Sequence, residues 1–67
     1  MPKYYADLHF WFDKPKVIEI QKEDIENIVA AVEGQYTFVN NKTGLAIKGE
    51  TVAYVNIHEV KEEDTNG

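Results

Sequence analysis

The chain has no cysteine, no serine and no arginine in its 67 residues. Without cysteine there are no disulfides, no thiolate metal ligands and no thiol nucleophile. Without serine, threonine is the only hydroxyl besides tyrosine, so the common Ser–His and Cys–His nucleophilic arrangements are excluded. With lysine alone supplying the seven basic residues, no bidentate grip on phosphate or guanine is available. Long uncharged apolar runs are also missing, which points away from a signal peptide or membrane span and towards a cytoplasmic protein. HExxH, EF-hand, P-loop and GxGxxG motifs do not occur, and no motif assigns the chain to a family.

The charge that is present is acidic, a formal net −5, and unevenly spread. Lys3, Lys14 and Lys16 against Asp7 and Asp13 give residues 1–16 a net +1, leaving −6 on residues 17–67. Phosphate contacts supply much of the free energy of nucleic-acid binding, so this balance argues against a direct DNA or RNA binder. A chain this short makes one small domain of marginal stability. We read residues 1–60 as that single compact domain, and 61–67 (KEEDTNG) as a flexible acidic tail. With disulfides and thiolate metal sites excluded, oligomerisation is the support left most open.

Local chemistry orders the elements. YYADLHFWFD alternates with a strand's period of two. Tyr4, Ala6, Leu8, Phe10 and Phe12 share one apolar face, and Tyr5, Asp7, His9, Trp11 and Asp13 the other. Pro15 breaks this strand, and KVIEIQ resumes as a second. An antiparallel hairpin that keeps the apolar faces together puts Phe10 near Ile18, Leu8 near Ile20, Trp11 opposite Val17 and His9 opposite Glu19. Ile25, Ile28, Val29 and Val32 then have helical spacing, over about residues 22–33. Acids in the first turn match the helix dipole, and Gly34 is the expected stop. QYTFVN and LAIK flank a four-residue turn, Asn41–Gly44, which pairs Phe38 with Ile47. Gly49 next suggests a type II′ hairpin that pairs Ile47 with Val52 and Leu45 with Tyr54.

These registers predict an α+β fold: a small, mostly antiparallel sheet in the order β-β-α-β-β-β with one helix packed on one face. The expected core is Leu8, Phe10, Phe12, Ile18, Ile20, Ile25, Ile28, Val29, Val32, Phe38, Ile47 and Val52. The opposite face should be polar if it is wet, yet it carries Tyr5, Trp11, Val17, Val39, Ala46, Ala53, Val55 and Ile57. A single helix covers only one side. The second apolar set is therefore read as an interface, the other solution being a sheet that curls into a closed barrel.

Candidate chemistry is sparse. Asp7, His9, Glu19 and His58 could make a carboxylate–histidine set. No spacing ties His58 to His9, and a surface His–Glu pair accounts for the rest. The function expected is a small non-enzymatic interaction module, homo-oligomeric and binding a protein partner, with no cofactor and no metal. Its contact residues are Tyr5, Trp11, Val17, Val55 and Ile57, with His9 and Glu19 at the rim. One alternative is an acidic nucleic-acid mimic that inhibits a DNA- or RNA-binding enzyme through Glu23, Asp24, Glu26, Glu33, Glu59, Glu62, Glu63 and Asp64. A second is a small-ligand-binding or nucleic-acid-binding domain, the latter stacking bases on the N-terminal aromatics.

Overall fold

The strand Lys3–Phe10 (β1) occupies the middle of the sheet on which the fold is built. A computed structural model describes residues 2–61 of the chain. After β1 come Lys16–Ile20 (β2), a 3₁₀ turn at Lys22–Asp24, the helix Ile25–Gly34 (α1), Thr37–Asn40 (β3), Leu45–Lys48 (β4), a second 3₁₀ turn at Gly49–Thr51, and Val52–Val60 (β5). The class and element order are those expected from the sequence, α+β with one helix. The strands form two antiparallel sheets, a three-stranded β2-β1-β5 and a two-stranded β3-β4, and neither closes into a barrel.

Apolar periodicity puts Ile25, Ile28 and Val32 on the inner stripe of α1, with Ile28 fully buried. Around it Ala6 and Leu8 of β1, Ile20 of β2, Ile47 of β4 and Val52 of β5 close the core. Tyr4, Phe10, Ile18, Phe38 and Leu45 pack against its edges. Val29 is half-buried and stands outside this cluster. The stop is one residue later than expected. Gln35, not Gly34, takes the left-handed conformation at φ 57°, and the N–H groups of Gln35 and Tyr36 cap the carbonyls of Val32 and Ala31.

The β3–β4 hairpin has the predicted register, with Phe38 opposite Ile47. Its turn is closed by Gly44 at φ 74°, whose N–H donates to the Asn40 carbonyl at 2.9 Å. Asn40 does more than that. Its amide nitrogen donates to both carboxylate oxygens of Asp24, at 3.0 and 2.9 Å, and its Oδ1 accepts the N–H of Lys42 at 3.0 Å. One side chain thus ties the start of α1 to the tip of the hairpin.

Three expectations are corrected. In the β1–β2 pair Tyr4 lies opposite Ile20, Tyr5 opposite Glu19, Ala6 opposite Ile18 and Asp7 opposite Val17. Face parity is kept, but the strand slides four residues from the tight hairpin expected. The Trp11 N–H turns away from β2 and donates to Thr51 O at 3.2 Å, so Trp11 does not meet Val17 and Phe12 leaves the core. Second, β4 does not pair with β5. Gly49 is buried against α1, where an added Cβ would lie 2.0 Å from the Ala31 carbonyl oxygen, and its N–H donates to Tyr36 O at 3.0 Å. The glycine serves this close backbone approach rather than a II′ turn, which would need a positive φ there. β5 instead runs the full length of β1.

The third correction is a bulge. From Lys3–Val60 to His9–Tyr54 the β1–β5 ladder is regular, and then Phe10 pairs with Val52, leaving Ala53 as the extra residue. One extra residue inverts face parity along the strand. Val52 and, beyond the bulge, Val55 and Ile57 therefore all face the core, while Tyr54 faces out.

Two substitutions test this frame. Asn40→Ala strands the Asp24 carboxylate, which is only 3 % exposed, and should cost about 2–3 kcal/mol in urea unfolding. Gly49→Ala should cost about 3 kcal/mol or more because the obstacle is backbone, whereas Gly44→Ala, in open space, carries only the strain of its positive φ.

Candidate interaction face

The helix covers one side of the β2-β1-β5 sheet, and the other is laid out by the registers. Its first row is Glu19, Tyr5 and His58; the second is Val17, Asp7 and Asn56; the third is His9 and Tyr54. Tyr5 stacks on His58 with ring centroids 5.7 Å apart, and His9 stacks on Tyr54 at 4.3 Å with the planes within 11°. Between the two stacks Asp7 faces His58, with Oδ2 to Nε2 at 3.8 Å. Both partners of that contact are substantially solvated, so a pair of this kind contributes at most about 1 kcal/mol. Tyrosine and histidine pair an apolar ring with a polar tip, so this face tolerates water and also offers area to a partner.

The sequence-selected residues separate into three groups. Tyr5, His9, Val17 and Glu19 lie together on this open face. His9 stacks on Tyr54 of β5, and Tyr5 takes the place expected for His9 opposite Glu19. Trp11 is not on the sheet. It follows β1 in the loop to β2, 60 % exposed, beside Phe12, whose side chain is wholly exposed. Phe10, Trp11, Phe12, Asp13, Glu50 and Thr51 line an open groove of about 450 Å³ there. Val55 and Ile57 are corrected: the bulge at Ala53 turns them towards Leu8 and Ala6 on the helix side, where they pack on the core. Tyr54 and Val60, both exposed, are not among the contact residues expected. Only the bulge distinguishes Tyr54 from a core position, and it has no local sequence signature.

The acidic surface is thinner than expected. Glu23, Glu26 and Glu33 are exposed, Asp24 is buried under Asn40, and Glu59 is exposed near the end of β5. Glu62, Glu63 and Asp64 lie outside the described residues, as does all of the expected 61–67 tail after Lys61. Among the described residues no group of three or more His, Asp or Glu is placed to hold a metal ion, and no helix is long and apolar enough to cross a membrane. Comparison of the chain with protein-family models, curated proteins and solved structures finds no match.

The His9–Tyr54 stack should be measurable as a coupling. A double-mutant cycle with His9→Ala and Tyr54→Ala, followed by urea unfolding, should give an interaction of about 0.5–1 kcal/mol. A coupling of zero would mean the rings do not meet in solution.

Proposed function

We propose that the protein is a small non-enzymatic interaction module of the cytoplasm. It associates with itself and holds a protein partner on the aromatic loop that follows β1. The observation that carries this reading is the exposure of Trp11 and Phe12 side by side on one loop. Neither ring supports the monomer's core, and paired exposed aromatics over a groove have the composition of a binding hot spot. Lys14 and Pro15 follow directly, and the Lys14 N–H is held by the Asp13 carboxylate at 2.7 Å. Self-association is supported by the small core.

Light scattering on a sizing column over a concentration series, with Trp11 fluorescence on the same samples, tests both parts. The wild type should exceed the mass of one 7.7 kDa chain. The double variant Trp11→Ala/Phe12→Ala should keep its unfolding free energy within about 0.5 kcal/mol, since both rings are exposed. It should also lose a partner, recovered by the wild type from a cell lysate, by at least about tenfold in affinity. Recovery of the same proteins by both forms would count against the loop, and a monomer at every concentration against self-association.

A further inference from the structure

We infer that two copies of the chain join through the free edge of β5, antiparallel about a two-fold axis at Asn56, into one continuous six-stranded sheet. This rests on the self-association proposed above and names its surface. Among the described residues β5 has β1 as its only ladder partner, so a nine-residue strand leaves its other edge unpaired. Exposed edges are commonly guarded by short length, charge or proline. The other strands of the fold are guarded in this way. β2 has five residues, opens after Pro15 with Lys16 and carries Glu19, and β3 and β4 have four residues each. β5 reads VAYVNIHEV, with no proline and no lysine or carboxylate before Glu59.

The residue pattern of β5 also fits its own reverse. A two-fold axis at Asn56 lets the regular segments Tyr54–His58 of both strands overlap, on one side of the bulge at Ala53. Val55 of one copy then lies opposite Ile57 of the other on the helix side, and Tyr54 opposite His58 on the open side. Core-side residues meet core-side residues, as a sheet with one covered face requires. Glu59 falls beyond that segment, beside the bulge at Ala53, so no like charges are brought face to face. On the open side the His9–Tyr54 and Tyr5–His58 stacks become neighbours across the junction, a line of four rings. On the helix side Val29, Val32 and Val55, with the polar Glu33 and Gln35, help to line a groove of about 370 Å³ between α1 and β5. Ile57 of the second copy lies beside its Val55 rim.

Residue 56 is the only position that meets its own copy, and the chain has no cysteine to interfere. Directly opposed residues of an antiparallel pair have Cα atoms roughly 4.5–5.5 Å apart, within the span of a disulfide. Asn56→Cys should therefore oxidise to a covalent dimer at least tenfold faster than Asn41→Cys, placed in the exposed β3–β4 turn. Asn56→Lys and Asn56→Glu should each weaken self-association at least tenfold, and mixing the two should restore it. If the wild type is dimeric but Asn56→Cys cross-links no faster than the control and the charge variants dimerise like the wild type, the β5 edge is overturned and self-association stands. If the wild type is monomeric at every concentration, both fall.

Discussion

One extra residue in the last strand decides which side of the sheet becomes core. β5 carries apolar residues in both parities, Val52 in one and Val55 and Ile57 in the other. A regular ladder would have buried one set and left the other in water. The bulge at Ala53, opposite the step from His9 to Phe10, puts both sets on the helix side and turns Tyr54, Asn56 and His58 outward. The sheet needs an apolar cover on one face only. The open face is left with amphipathic rings.

The rest of the fold follows from having, among the described residues, a single α-helix to provide that cover. α1 is only ten residues long, so the β3–β4 hairpin must complete the lid. It is fixed at two points. Gly49 lets the backbone after β4 pass directly against the Ala31 carbonyl, and Asn40 bonds to Asp24 at the start of the helix. Asp24 shows how a charge at a helix start can become structural. Acids there suit the dipole in any sequence, but this one is buried by the amide that meets it. The hydrophobic core that results is small, which is the condition under which a second copy adds most to stability.

Local features were legible in the sequence. The helix, the β3–β4 turn and its register, and the sharing of faces within β1 and β2 followed from periodicity, Asn-Lys-Thr-Gly turn chemistry and the glycines. Non-local features were not. β1 pairs Lys3 with Val60, almost the full described length of the chain away, and no dipeptide signals such a pairing. Because β5 claimed the partner's position beside β1, the II′ hairpin after Lys48 was lost and Gly49 took its other use, close approach. The loop after β1 was longer than the tight hairpin assumed, which freed Trp11 and Phe12 from the sheet. Of the contact residues, Tyr5, His9, Val17 and Glu19 depended only on parity within β1 and β2 and stayed on the open face. Val55 and Ile57 depended on the bulge and changed sides.

The most direct test of this account is a set of nuclear Overhauser contacts from the Tyr54 ring. With the bulge at Ala53, Tyr54 protons should show cross-peaks to His9, and the methyls of Val55 and Ile57 to Leu8 and Ala6. Contacts from Tyr54 to Ile28 or Ile47, with Val55 and Ile57 free of the core, would place β5 in the unbulged register and contradict it.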